Sequence, residues 1–219
     1  MPPTTPATTF PTFTVAGQHQ PALDAGLQRL SVTERSPGHV LCDIEVVDWG
    51  ATSDGSIGFL WSDGRVLNIG AMVSVGQGTD VLFDGRVLAL EARLSPAGAP
   101  TLVLQCTGKR PAATRAGASQ LRWGADLLRL EVTVEKLGRG RPRPGRPHRT
   151  VLRARGEATW AAAVGPNALR AAGGVDLLGV GAVFAGACAV TEVTIRFDRD
   201  QGWRVEFSAT RRSDEGRGG

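Results

Sequence analysis

The chain has 219 residues, enough for one large or two small domains, and its hydrophobic and charged fractions of 42% and 21% are ordinary for a folded protein. No apolar segment is long enough for a membrane-spanning helix, and the N-terminus lacks the positive start and apolar core of a secretory signal. The formal net charge is +4, but residues 139–155 contain seven arginines and no acid, so the basic character belongs to one segment.

The first half of the chain is predicted to be a series of strands behind a flexible Pro/Thr arm at 1–12. Alternating apolar and polar residues predict strands at 10–15, 27–34, 40–47, 72–75 and 101–107. Residues 49–65, rich in Gly, Asp and Ser, favour a loop. The extended segment 80–94 would span about 50 Å, which is long for one strand, so we expect a bend or bulge, with Gly85 as the candidate position.

The pattern begins again after a linker predicted at 111–120. In the second half we expect strands at 127–133 and 150–155, a short helix at 157–164 and a final hairpin within 184–211. The predicted domain bounds are 13–110 for a first β domain, 121–212 for a second, and 213–219 for a disordered tail.

Two internal similarities indicate that one structural unit is used twice. Residues 83–110 align without a gap to residues 184–211, and LQRLSVT at 27–33 matches LLRLEVT at 127–133 in five of seven positions. The offsets, 101 and 100 residues, agree to within one residue. The aligned signature positions are Phe83 with Phe184, Gly85 with Gly186, Glu91 with Glu192 and Arg110 with Arg211.

The repeats predict a mainly β fold with minimal helix, made of two tandem duplicated antiparallel β-barrel or β-sandwich units. With five Trp, seven Phe and no Tyr, each core must rest on Val, Leu and Ala. Each unit is small for an independent core, so we expect further burial against a partner.

Patterns typical of catalysis or metal binding do not occur in the sequence. The three histidines, His19, His39 and His148, have no metal-ligand spacing, and the HExxH, CxxC and GxSxG motifs are missing. Glu91 and Glu192 invite a two-carboxylate interpretation, but they occupy equivalent positions in two repeats rather than one cleft. We therefore predict a protein that is not an enzyme, with no catalytic, cofactor-binding or metal site.

The three cysteines, Cys42, Cys106 and Cys188, lie far apart in apolar segments that alternate like strands. An odd number at wide spacing does not suggest a disulfide framework. We interpret them as small buried hydrophobic residues in a reducing compartment.

The arginine-rich segment 139–149 contains Arg-Gly-Arg-Pro, the core of the minor-groove-binding AT-hook. The motif is short and falls between two predicted strands, so we prefer a loop that faces solvent or a partner. Contact with nucleic acid is the alternative. The possible contact residues are Arg139, Arg141, Arg143, Arg146 and Arg149.

The signature positions resemble those of the phage late control protein D family, the baseplate hub of contractile tails. This family also includes VgrG of type VI secretion and the hub of extracellular contractile injection particles. The resemblance extends from about Phe13 to Arg211. The segments that carry it are Phe83-Asp84-Gly85-Arg86-Val87, Leu177-Leu178-Gly179-Val180-Gly181, Phe184-Ala185-Gly186 and Val190-Thr191-Glu192-Val193.

The resemblance implies a homotrimer whose chains each contribute two tube-like β-barrels to a ring that joins a six-fold inner tube to a three-fold spike. The implied partners are the inner tube protein, a separate spike protein and baseplate wedge proteins. Assembly would occur in the bacterial cytoplasm, as part of a virion tail or injection particle, without membrane insertion or nucleic acid. The family supplies no catalytic residues.

Two departures from the family leave alternatives open. Family members usually carry large domains between the barrels and a spike region, whereas here about a dozen linker residues separate the repeats and no spike sequence follows. The chain therefore resembles a minimal hub or a tube-end adaptor. The rival functions are a nucleic-acid-binding module that uses the segment 139–149 and a peptidoglycan hydrolase at a tail tip.

Overall fold

The computed structural model describes residues 10–35, 38–52, 54–109, 118–137, 148–164 and 168–215. The mainly β fold predicted from the sequence is confirmed. The strands are β1 (Thr12–Val15), β2 (Gln18–His19), β3 (Leu27–Arg35), β4 (His39–Val47), β5 (Gly50–Ala51), β6 (Ile57–Gly58), β7 (Met72–Gln77), β8 (Asp80–Arg93), β9 (Thr101–Lys109), β10 (Ala118–Arg122), β11 (Leu127–Leu137), β12 (His148–Ala158), β13 (Gly174–Leu178), β14 (Gly186–Asp198) and β15 (Gly202–Glu215). The helices are α1 (Pro21–Gly26) and a 3-10 helix (Trp160–Ala163).

The chain divides into two compact units. Unit 1 comprises residues 1–34, 38–112 and 195–203, and unit 2 comprises the remainder. Because 195–203 is the tip of the last hairpin, unit 1 includes a segment that lies about 80 residues beyond its other parts.

Unit 1 has the strand order β3-β4-β9-β8-β7-β1-β2. Register pairs such as Ile44 with Leu104 and Val75 with Phe83 define antiparallel neighbours. These four side chains are fully buried, because alternation along each strand directs one apolar row into the core.

Unit 2 has the strand order β11-β12-β15-β14, with β13 antiparallel to β14 and β10 parallel to β13. Its core contains Leu177, Val190, Val193 and Val205, all 1% exposed or less. As in unit 1, aliphatic side chains form most of the core.

The two units repeat the same topology. The order β3-β4-β9-β8 recurs as β11-β12-β15-β14, and β7 lies antiparallel to β8 as β13 does to β14. The first strands differ, since β1 runs antiparallel to β7 whereas β10 runs parallel to β13. The repeats in the sequence therefore correspond to repeated strand order, with divergence at the start of each unit.

Several local predictions differ from the structure. Helix α1 was not predicted; it is a single turn with Pro21 in the first turn, where the missing N–H is not needed. Residues predicted as linker include the start of β10 at Ala118, and the predicted helix at 157–164 is the end of β12 followed by a 3-10 turn. Register shifts lie on both sides of Gly85, between Val87 and Ala89 and opposite Val75/Gly76, rather than at Gly85 itself.

Arg199, at the tip of the last hairpin, ties that tip into unit 1. Its Nη1 donates to the carbonyl oxygens of Ala25 at 2.7 Å and Leu27 at 3.2 Å, next to the C-terminal end of α1. Its guanidinium carbon also lies 5.9 Å from the ring centre of Phe10. The side chain thus donates to one carbonyl group in the last turn of the helix and to one just after it.

We expect Arg199→Ala to lower the free energy of unfolding by about 1.5 kcal/mol, because two charge-assisted hydrogen bonds are lost. Chemical denaturation monitored by circular dichroism measures the change. Arg65→Ala is the control, since Arg65 is an exposed partner of Asp63 in the same unit and should change stability by less than about 0.5 kcal/mol. Equal effects of the two substitutions would contradict the anchoring role.

Candidate functional site

In unit 1, Glu91 belongs to a row of ion pairs on the exposed face of the sheet. Glu91 Oε1 accepts from Arg93 Nε at 2.9 Å, and Arg93 Nη1 lies 3.6 Å from Glu45. Arg29 also lies 3.6 Å from Glu45 and contacts Asp198 at 3.3 Å. The carboxylates alternate with guanidinium groups, so the arrangement neutralises charge along the sheet.

In unit 2, Glu192 accepts from Arg35 Nε at 2.6 Å and borders an open cavity of about 440 Å³. Charged side chains of both signs line this cavity: Arg129, Glu131, Arg155, Glu157, Glu192 and Glu206. Arg129 pairs with Glu131 at 2.5 Å, and Glu157 lies 3.7 Å from Arg204. The open cavity is therefore lined by ion pairs on a sheet face, as the exposed face of unit 1 is.

Glu91 and Glu192 are each paired with an arginine in their own unit, Arg93 for Glu91 and Arg35 for Glu192. In the described ranges no group of three or more His, Cys, Asp or Glu side chains could hold a metal ion. In both units the aligned glutamate of the sheet face is therefore held in an ion pair with an arginine.

Gly186 and Arg211 lie close together at the start of β14, where Arg211 holds the preceding turn. Arg211 donates to the carbonyl oxygens of Ala185 at 2.6 Å and Val183 at 3.2 Å. Gly186 has a φ of +111°, and a Cβ added there would lie 2.9 Å from Arg211 Nη1. The backbone conformation therefore favours glycine, and a Cβ at this position would also displace the guanidinium.

The matching positions in unit 1 have different surroundings. Phe83 is fully buried in β8, whereas Phe184 is half-buried in the turn before β14. Gly85 lies opposite Gly108 in β9, and an added Cβ would lie 2.7 Å from Gly108 Cα and 2.5 Å from the Phe83 ring. Arg110, the counterpart of Arg211, lies outside the described residues. The aligned positions of the two repeats thus hold the same residue types, but their side chains have different contacts in the two units.

The arginine-rich segment connects two paired strands, as the sequence predicted. Leu137 at the end of β11 lies opposite Arg149 near the start of β12. Arg139, Arg141, Arg143 and Arg146 lie outside the described residues. No helix of the described chain is long and apolar enough to cross a membrane.

Sequence reasoning did not identify Asp48, which organises the connection from β4 to β7. Asp48 is 1% exposed, and its Oδ1 accepts from the backbone N–H groups of Leu60, Trp61 and Ser62 at 3.1, 2.7 and 3.3 Å. Its Oδ2 accepts from the Ser62 hydroxyl. The loop composition indicated only an irregular segment, since the acceptor and its donors lie 12 to 14 residues apart.

All three cysteines are buried free thiols, as predicted. Cys42 and Cys106 lie directly opposite each other on β4 and β9. Burial raises the pKa of the Cys106 thiol to about 12 and, together with the nearby Cys106, raises the pKa of the Cys42 thiol well above its ordinary value. Both thiols are therefore neutral in the folded protein at physiological pH.

We expect the free energy of unfolding to fall by about 2 kcal/mol as the pH rises from 9 to 10. The unfolded chain releases both thiol protons near pH 9, whereas the folded chain retains them to higher pH, so alkali favours unfolding. With no Tyr and only two Lys, few other groups titrate in this range. Denaturation at several pH values measures the slope, and Cys42→Ala/Cys106→Ala should flatten it. An unchanged slope in that variant would contradict the assignment.

Neither a protein-family model nor a curated protein matches this chain. Among solved structures, it is similar to the 43 kDa tail protein of prophage MuSo2 from Shewanella oneidensis, with a TM-score of 0.59, 9% identity, and coverage of 91% of this chain and 97% of that one. It is similarly related to the tail protein from Neisseria meningitidis MC58, with a TM-score of 0.58, 8% identity, and 91% and 95% coverage.

A third structure similar to this chain is an Escherichia coli component of the type VI secretion system, described as structurally similar to the phage T4 tail proteins gp27 and gp5. Its TM-score is 0.50 at 9% identity, with coverage of 90% of this chain and 76% of that one. At such low identity the similarity shows a shared fold. The two tail proteins are matched over nearly their whole length.

Proposed function

We propose that this chain is a structural, non-catalytic component of a contractile phage tail or contractile injection system, in the position of the baseplate hub. Three copies would form a ring that joins a six-fold inner tube to a three-fold spike. The supporting observation is that each chain contains two units of the same strand order, in a fold shared with tail proteins over about nine-tenths of the chain.

Two similar units in each chain would allow a three-fold assembly to bind a six-fold tube. A trimer of duplicated units presents six similar faces to a six-fold tube while it keeps the three-fold axis of a spike. The partners would be the inner tube protein, a separate spike protein and wedge proteins. The paired charges on the sheet faces fit such polar assembly surfaces better than an active site.

We expect the purified protein to have a mass three times that of the 23.0 kDa chain. Size-exclusion chromatography with light scattering measures the mass, and class averages from electron microscopy should show three-fold rings with six lobes. Co-expression with tube and spike proteins encoded beside it should yield tube ends capped by this protein. A stable monomer that never enters a tube-like assembly would refute the hub role.

A further inference from the structure

Strands β11 and β8 each have an open edge in the described part of the chain. β11 pairs with β12, and beyond that pairing Leu127 alone forms an isolated bridge, to Trp123, among the described residues. β8 pairs with β7 as far as Arg86, and Val87 bonds to Ala71, but from Leu88 to Arg93 it has β9 on one side alone. Long open edges of this kind are templates for pairing with another strand.

The counterparts of these strands in the internal repeat are β3 and β14, and within unit 1 the tip of the last hairpin, 195–199, runs antiparallel beside β3. Within unit 1, Arg199 N donates to Gln28 O at 3.0 Å, and Arg29 contacts Asp198. Within unit 2, Arg35 contacts Glu192. One register relates all three contacts, and it places Val32 opposite Ile195.

Residues of β11 and of the open edge of β8 are less buried than their equivalents in β3 and β14. A missing neighbouring strand would produce this difference. Val32 and Ile195 are each 1% exposed. Their counterparts by the offsets of 100 and 101 residues are Val132, which is half-buried, and Leu94, which is 66% exposed. Ala92 is exposed, whereas its counterpart Val193 is fully buried. Val134, whose counterpart is Glu34, is 41% exposed. The open edges therefore leave apolar residues more exposed than the equivalent parts of β3 and β14 do.

We propose that β11 of one copy pairs antiparallel with the open edge of β8 (Leu88–Arg93) of a second copy, in the register that β3 and β14 have within the chain. Adding 100 to the residue numbers of β3 and subtracting 101 from those of β14 gives the equivalent register between β11 and β8. This register places Val132 opposite Leu94 and Val134 opposite Ala92. The contact would cover the exposed apolar residues and give hydrogen-bond partners to both open edges.

The same register brings Glu135 opposite Glu91. Each carboxylate already has an arginine partner, Arg153 for Glu135 and Arg93 for Glu91, so the junction assembles a balanced cluster of four charges. Because one copy contributes β11 and the next contributes β8, the contact is heterologous, and it closes into a ring if the rotation between copies is the one that the three-fold hub requires. The inference rests on the self-association required by the proposed hub role and identifies the strands that carry it.

Cysteine cross-linking tests the register. Ala92→Cys and Val134→Cys replace exposed side chains, and the three native thiols are buried. Two single variants, mixed and mildly oxidised, should form disulfide-linked dimers, while neither forms them alone. The double variant should form covalent rings. Pairing Ala92→Cys with Glu131→Cys, three residues out of register and about 10 Å away along the strand, should give at least tenfold less product.

A second variant tests the contact without cross-linking. Leu94→Asp should weaken association roughly 10- to 100-fold, because it places a charge opposite Val132 at the end of the paired edge, while circular dichroism stays unchanged. Ile69→Asp is the matched control, since Ile69 is 71% exposed in the same unit and lies outside the open edge; it should leave association unchanged.

The outcomes separate this inference from the hub role. Rings that cross-link only in the predicted register support it. Rings that show no 92–134 cross-link, or that tolerate Leu94→Asp, overturn the strand assignment and leave the hub role standing. A monomer at all concentrations overturns both.

Discussion

Gly85→Ala should lower the free energy of unfolding by about 3 kcal/mol and the melting temperature by roughly 6 to 12 °C. Gly85 and Gly108 lie opposite each other where β8 and β9 approach closely. An added methyl group would overlap the carbonyl oxygen of Thr107 and lie 2.7 Å from Gly108 Cα. Both groups belong to the backbone of a central strand, so rotation of a side chain cannot relieve the overlap.

Gly98→Ala is the matched control for this substitution. Gly98 lies in the turn between β8 and β9, and an added Cβ there would meet no atom within 4 Å. Its effect on the free energy of unfolding should stay within about 0.5 kcal/mol. Differential scanning calorimetry of both variants measures the difference, and similar melting temperatures would show that β8 and β9 can separate without cost.

The same glycine shows what the sequence could and could not predict. The alternation of apolar residues was sufficient to locate β3, β4, β9 and the final hairpin, because a one-sided sheet imposes a two-residue period. The length of β8 indicated an irregularity, and Gly85 was the obvious candidate. The structure uses this glycine for a close approach between strands and places the register shifts on either side of it. The two roles can be told apart only when the position of the neighbouring strand, β9, is known.

Contacts between residues far apart in the chain could not be predicted from the sequence either. The partner of Glu192 is Arg35, 157 residues earlier, and the partners of Arg199 lie more than 170 residues away. The repeat identified Glu192 as the equivalent of Glu91, but the two glutamates have different partners. Equivalent positions in the two units share a place in the strand order, while their side-chain contacts depend on neighbours that differ.

The Asp48 carboxylate should give the second large effect, because it accepts four hydrogen bonds from the loop after β4. We expect Asp48→Ala to lower the free energy of unfolding by about 3 kcal/mol, since it leaves backbone N–H groups in 60–62 without an acceptor. Trp61 is 5% exposed, and its indole N–H donates to Val47 O at 3.1 Å. Loss of the anchor should therefore expose Trp61 and shift its fluorescence to longer wavelength.

Two further substitutions separate this anchor from a general effect of removing an acid. Asp48→Asn retains an acceptor for the three backbone N–H groups and should lose only about 1 kcal/mol. Asp63→Ala removes a partly exposed carboxylate that accepts from Arg65 N at 2.9 Å, and it should change stability by less than about 0.5 kcal/mol. If Ala and Asn at position 48 were equally stable, the hydrogen bonds to Oδ1 would not hold the loop, and burial of Trp61 and Leu67 alone would have to order it.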